Sequence, residues 1–183
     1  MLFVTTAYGK RHRLKLGDSA PKWEELKGID DKEHSLDQFE KAKLMVVVFA
    51  ANNCPVAQLY EERISKVARD YKTKGVAVVA INSNKDESRS AMKKYAKQKK
   101  LGYIYLKDET QRVAKSFGAL MTPEVFVFDG QRKLAYMGGI DDDRLLTGKP
   151  KRNYLRDAID ALLANKKPPK AETRAFGCTI RWK

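Results

Sequence analysis

Cys54 is the residue in this chain best placed to do chemistry, because Pro55 follows it directly. Proline is favoured at the first position of a helix, where its missing N–H would have no partner in any case. Cys54 is therefore expected at the N-cap. There the unpaired amides and the positive end of the helix dipole stabilise a thiolate more than a thiol, which lowers the pKa and raises the fraction of nucleophile. The chemistry that follows is thiol exchange, and it calls for a sulfur exposed enough to be touched. Asn52 and Asn53 can add amide donors beside it. The competing possibility is a small buried cysteine at a strand end, since free cysteine is among the most buried residue types. A second feature is Thr122-Pro123, just ahead of an alternating segment. Proline is tolerated at the first residue of a strand or on an edge, and either a plain strand start or a tight turn with a cis bond fits.

A cysteine in that position needs a strand to deliver it and a helix to receive it. Leu44 to Ala50 is a continuous apolar run rich in β-branched residues, which predicts a central strand covered on both faces. After a short polar break, Val56, Leu59, Tyr60, Ile64, Val67, Ala68 and Tyr71 recur at helical spacing, so an amphipathic helix should end before Gly75. Val76 to Ile81 repeats the buried-strand pattern, and Ala91, Met92, Tyr95 and Ala96 form a second helical stripe. Strand, helix, strand, helix implies a parallel βαβ unit. Asp108 and Gln111 have capping-box spacing ahead of Val113, Ala114 and Phe117, with Gly118 suited to the end of that short helix. Glu124 to Asp129 alternates into a strand, Gly130-Gln131 turns, and Lys133 to Met137 returns as the second arm of a hairpin. Leu155, Ala158, Ile159, Leu162 and Leu163 mark a last helix that stops at Lys166-Lys167-Pro168-Pro169. The expected organisation is a basic arm over 1–19, one domain over 20–167, and a tail over 168–183 that carries Cys178.

The 183 residues, 43% hydrophobic and 33% charged, suit a single domain with a real core. Lysine and arginine number 37 against 23 acids, and the formal charge of +14 favours acidic partners without specifying a fold. No apolar run approaches the roughly 18 to 20 residues that cross a bilayer, so a transmembrane helix is excluded. Met1 to Gly9 lacks the basic start and small-residue cleavage pattern of a secretory signal. The cytoplasm is the expected compartment, with an exported mature form as the alternative. Two cysteines so far apart are no disulfide scaffold, and with only His12 and His34 beside them a zinc site is not expected. No metal or cofactor is expected at all. Lys93, Lys94, Lys97, Lys99 and Lys100 read as a solvated helix face rather than a nucleic-acid surface. Asp141-Asp142-Asp143 reads as a polar loop without cation-loop spacing, and Gly138-Gly139 opens no phosphate loop.

Several segments, in order, carry a resemblance. Phe49-Ala50-Ala51-Asn52-Asn53-Cys54-Pro55, Gly75 to Asn82, Asp108-Glu109-Thr110-Gln111, and Thr122-Pro123-Glu124 to Asp129 resemble the thioredoxin-fold redoxins. The branch they resemble most is that of alkyl hydroperoxide reductase and thiol-specific antioxidant proteins. Its Asn-His-Cys-Pro motif and Gly-Cys-Ser-Ile-Lys-Trp ending are similar to Asn52-Asn53-Cys54-Pro55 and to Gly177-Cys178-Thr179-Ile180-Arg181-Trp182.

The resemblance implies a thioredoxin-like three-layer α/β/α sandwich with a mixed central sheet. It puts Cys54 in the place of the active-site cysteine and Pro123 in that of the cis-proline opposite, with Thr122 offering backbone groups to a substrate chain. Asn52, Asn53, Pro55, Thr122 and Pro123 are then the expected substrate-binding residues, and Cys54 the nucleophile. Three departures matter. Cys54-Pro55-Val56-Ala57 lacks the second thiol of Cys-x-x-Cys. Ala51 stands where peroxiredoxins have threonine, with no arginine beside the strand at Pro123. Ala51 and Met121 also stand where relatives tend to have further cysteines. A lone thiolate that attacks a disulfide stalls as a mixed disulfide unless a second thiol releases it, and Cys178 is the candidate resolver. The alternative is that Phe176, Ile180 and Trp182 pack Cys178 away from Cys54. The favoured function is thiol-disulfide exchange on a protein or small-molecule disulfide, with an external thiol reductant. Peroxide reduction by Cys54 through a sulfenic acid and a non-catalytic binding module are the alternatives.

Overall fold

The apolar run at Leu44 lies at the centre of a seven-stranded sheet. The computed structural model describes residues 13–143 and 147–183, so residues 1–12 of the basic arm lie outside the described part. In chain order the elements are β1 (Leu26–Gly28), β2 (Glu33–His34), β3 (Leu44–Phe49), α1 (Pro55–Lys72), β4 (Val76–Asn82), α2 (Arg89–Lys99), β5 (Ile104–Lys107) and α3 (Arg112–Phe117). Then come β6 (Met121–Thr122), β7 (Glu124–Phe128), β8 (Leu134–Gly138), α4 (Tyr154–Leu163) and β9 (Cys178–Thr179). The sheet runs β2-β1-β5-β4-β3-β7-β8, while β6 and β9 form a separate two-stranded ribbon.

Strands β3, β4 and β5 are parallel, and β7 and β8 are antiparallel to their neighbours, so the sheet is mixed as expected. Successive side chains of a strand point to opposite faces, and β3 is buried on both. Val46 and Val48 face a layer built from Tyr60, Ile64 and Val67 of α1, Met92 of α2, and Leu155 and Ile159 of α4. Met45, Val47 and Phe49 face the other layer, where Val113, Ala114 and Phe117 of α3 meet Trp23 and Phe39. The result is a thioredoxin-like α/β/α sandwich. Phe117 is its keystone on that side, packing edge-on against Phe49 and Phe126 at 5.3 Å and against Phe128 at 5.8 Å. Burying an aromatic side chain of this size stabilises the fold by about 3 kcal/mol.

Two local expectations are corrected. β5 was not foreseen: its four residues are too short a run to show periodicity, and it is fixed by parallel pairing with β4. Asp108 and Gln111 do not form a capping box. Gln111 sits at the N-cap of α3 in the left-handed region (φ 60°) with no capping bond of its own. Asp108 instead accepts from the Ala114 N–H at 3.0 Å and the Ser83 hydroxyl at 2.9 Å.

The chain after α4 is docked along its length. Met137 of β8 exchanges backbone hydrogen bonds with Ala171 and Thr173, each at 3.0 Å. Gly138 has φ 136°, and a side chain there would collide with the Thr173 carbonyl. β9 then pairs antiparallel with β6, Thr122 opposite Cys178. Ile180 is buried and donates its N–H to the Leu120 carbonyl at 2.9 Å.

Candidate active site

The register of β3 against β7 brings the two expected site segments together. Phe49 pairs with Glu124, so the turn leaving β3 lies beside the loop entering β7. Cys54 ends the first and Thr122-Pro123 ends the second. Cys54 is the N-cap of α1, with extended backbone (φ −95°, ψ 111°) and Pro55 as the first helical residue. Its sulfur accepts from the Ala57 N–H at 3.3 Å, and its thiol donates to the Thr122 carbonyl at 3.0 Å. The Thr122–Pro123 peptide bond is cis.

The sulfur is not exposed. Cys54 is 2% accessible, against the expectation of a thiol open to solvent. Its cover is the tail: Cys178 packs on the cluster formed by Ala51, Cys54 and Ala57. Both residues are free thiols. Val56 packs on the same cluster, so both cysteines lie at the first turn of α1. Burial pushes the Cys178 thiol up to about 11, and its hydrogen bond to the Cys54 sulfur and the charge there push the same way. At neutral pH Cys178 is therefore a protonated donor. Cys54 both accepts, from the Ala57 N–H, and donates, to the Thr122 carbonyl.

Residues that the sequence did not single out hold this geometry. Glu87 is 2% exposed and lies under the turn. Its carboxylate accepts from the Asn52 N–H at 2.6 Å, the Asn53 N–H at 3.4 Å, Asn82 Nδ2 at 2.9 Å and Asn84 Nδ2 at 3.0 Å. Asn52, an expected substrate-binding residue, is buried in this network. Its Oδ1 accepts from the Tyr105 hydroxyl at 2.8 Å and its carbonyl from Gln58 Nε2 at 2.6 Å. Asn53 is exposed at the rim. Glu87 stands in the polar run Asn82 to Ser88, which has the composition of a solvated loop and carries no signal of burial. Asn84 also links the turn to the tail, its Oδ1 accepting from the Arg181 N–H at 2.9 Å.

The proline loop has its own brace. Glu124 is 1% exposed and accepts from the Leu120 and Met121 N–H groups at 2.7 and 3.1 Å. An arginine does reach it, contrary to expectation. Arg13 Nη2 pairs with Glu124 Oε1 at 2.9 Å while Nη1 donates to the Gly118 carbonyl at 3.2 Å. It comes from the far end of the chain, so no local motif announces it. Asp141 and Asp143 are likewise buried rather than loose, paired with Arg63 at 2.5 and 2.6 Å.

A cysteine capping a helix beside a cis-proline loop, on a sheet of this topology, defines a thioredoxin-fold thiol protein. Residues 16–137 match the model of the AhpC/TSA family, and the chain belongs to that family. It is 24% identical over 127 residues to the thiol-disulfide oxidoreductase ResA of Bacillus cereus, spanning 69% of this chain and 71% of the relative. Among solved structures, a hypothetical protein from Sinorhizobium meliloti 1021 superposes with a TM-score of 0.87 at 35% identity, covering 94% of this chain and 97% of that one. A putative thiol:disulfide interchange protein DsbE from Chlorobium tepidum shares the fold, with a TM-score of 0.68 at 22% identity over 82% of this chain and 99% of that one.

Proposed function

We propose that the protein is a thiol-disulfide oxidoreductase in which Cys54 is the nucleophile and Cys178 the resolving thiol. The observation that carries the reading is the packing of Cys178, the second free thiol, directly on the cluster of Ala51, Cys54 and Ala57 at the start of α1. The name of the Bacillus relative supports the same class of reaction. The Cys54 thiolate attacks one sulfur of a substrate disulfide, forming a mixed disulfide and releasing the other substrate sulfur as thiolate. Cys178, giving up its proton, attacks Cys54, releases the remaining substrate thiol and leaves a Cys54–Cys178 disulfide. An external dithiol returns both cysteines to thiols and is itself oxidised. Thr122 supplies backbone groups to the substrate chain, and Pro55 and Pro123 fix the walls on either side. Peroxide reduction is disfavoured because Ala51 offers no hydroxyl at the site and the Arg13 guanidinium is held by Glu124. We place the protein in the cytoplasm, where such a disulfide is transient. Among the described residues no helix is long and apolar enough to cross a membrane.

The test is the stoichiometry of reaction with a symmetric aromatic disulfide. Wild type should release two aromatic thiolates per chain and end without an adduct, its cysteines joined. Cys178→Ser should release one and keep the aromatic group on Cys54, and Cys54→Ser should lose the fast phase. A wild-type adduct as stable as that of Cys178→Ser removes Cys178 from the mechanism. No release from wild type overturns the whole reading.

A further inference from the structure

The cover over Cys54 is a β-strand, and among the described residues the strand it pairs with has no other partner. Among the described residues β6 stands outside the main sheet and is bonded to β9 alone. Lifting β9 would expose Cys54 and leave the backbone groups of Met121 and Thr122 free to bind another extended chain, as any unpaired strand edge does. In the present register the residue opposite Thr122 is itself a cysteine. It packs on Cys54 and Ala57 at the first turn of α1, against the sulfur that an incoming disulfide must meet. Beside this edge runs a groove of about 880 Å3 lined by Arg13, Leu120, Met121, Glu124, Arg174 and Phe176. Leu120 and Phe176 are large apolar side chains left 39% exposed there.

We propose that β9 is a displaceable strand sitting in the seat of the substrate, and that an extended, cysteine-bearing segment of a polypeptide disulfide takes its place on β6. The proposal rests on Cys54 being the nucleophile. It orders the reaction. β9 must leave before the substrate disulfide reaches Cys54, and must then push the tethered substrate chain off β6 for Cys178 to attack the mixed disulfide. Gly177 sets how closely the strand seats. A side chain on Gly177 would collide with the Thr122 carbonyl and crowd the Pro123 nitrogen, so only glycine lets the tail lie flat on the proline loop. Gly177 is thus a positioning residue, acting on Cys54 through the strand that covers it.

Gly177→Val separates access from resolution. In a Cys178→Ser background Cys54 is the only thiol, and iodoacetamide should alkylate it about tenfold faster when Gly177→Val is added, the factor equivalent to ~1.4 kcal/mol. With Cys178 present, Gly177→Val should speed formation of the mixed disulfide with a disulfide-bearing peptide and slow its release. Fast alkylation at the same rate with and without the substitution would overturn the strand displacement while leaving Cys54 as nucleophile. Absence of reaction in both would overturn the nucleophile and the displacement together. Should Gly177→Val not fold, hydrogen exchange on the wild-type chain decides. The Ile180 amide, bonded to Leu120, should exchange through a smaller opening than the Val47 amide of β3. Exchange of Ile180 only with global unfolding would show that β9 does not lift.

Discussion

Two thiols at one helix turn differ in what surrounds each. Cys178 is half-buried, and loss of its proton is opposed by burial first, then by its hydrogen bond to Cys54 and the charge there. Cys54→Ser removes the last two causes and keeps the first. The Cys178 titration, followed by the NMR shift of its β-carbon, should therefore move from about 11 down towards, but not fully to, the ordinary value of about 8.5. An unchanged titration would mean that the sulfurs do not interact. The raised value also gives a direction to stability. A thiol whose folded pKa lies above its unfolded one favours the fold below about pH 8.5, and this contribution is lost as pH rises through about 11. The tail should loosen over that window. Asn52 carries a lesson at the same scale. Its neighbourhood to Cys54 in sequence is real, but its side chain turns inward to Tyr105, and adjacency along the chain does not fix the direction of a side chain at a turn.

At the level of elements, the site depends on a turn that has few apolar contacts of its own and is held by one buried carboxylate. Glu87 accepts from two backbone amides of the Cys54 turn and from Asn82 and Asn84 at the end of β4. Glu87→Ala would leave several buried donors without partners, at ~3 kcal/mol for the set. Glu87→Gln keeps the shape but sets an amide donor among donors, and should cost about 1 to 3 kcal/mol. Urea unfolding measures both. The turn should also lose its hold on Cys54, so the rate of mixed-disulfide formation should fall even where the protein is fully folded. A Glu87→Ala protein with unchanged stability and unchanged rate would remove Glu87 from the support of the site. α1 itself was readable from its start to its end: Pro55 opens it, the stripe from Tyr60 to Tyr71 packs on the sheet, and Gly75 with φ 84° turns the chain into β4.

The whole molecule carries a formal charge of +14, and several of its acids are committed to pairs. Burial works to raise the Asp143 carboxyl, but the Arg63 guanidinium and hydrogen bonds from Thr147 and Gly148 outweigh it and hold the value at about 2. Asp31 beside Lys93 and Asp70 beside Arg156 are also held below the usual carboxylate range, each chiefly by a hydrogen bond from its cationic partner. Groups lowered in the folded state stabilise it above their unfolded pKa of about 3.9, and that contribution disappears as pH falls towards about 2. Protonation also raises the net positive charge, so self-repulsion grows at the same time. Urea midpoints should stay level from pH 7 to about 5 and fall steeply below about 4, with a shallower fall in Asp143→Asn. Equal slopes in the two proteins would show that the Arg63 pairing does not contribute to acid stability.

Taken alone, the sequence determined what local patterning determines. The runs at Leu44 and Val76 fixed two buried parallel strands, Cys54-Pro55 fixed an N-cap and the helix after it, and Glu124 to Met137 fixed the hairpin. These follow from periodicity and from the fixed φ of proline, which need no partner to act. The tertiary structure alone decided that Cys54 is covered, that Cys178 is its cover, and that Glu87, Glu124 and Arg13 hold the two loops. Each of those is a contact between segments far apart in the chain. Short polar stretches such as Asn82 to Ser88 and two-residue strands such as β6 and β9 have no periodicity of their own. Only the register of β3 against β7, and the path of the tail across it, brings them to one place.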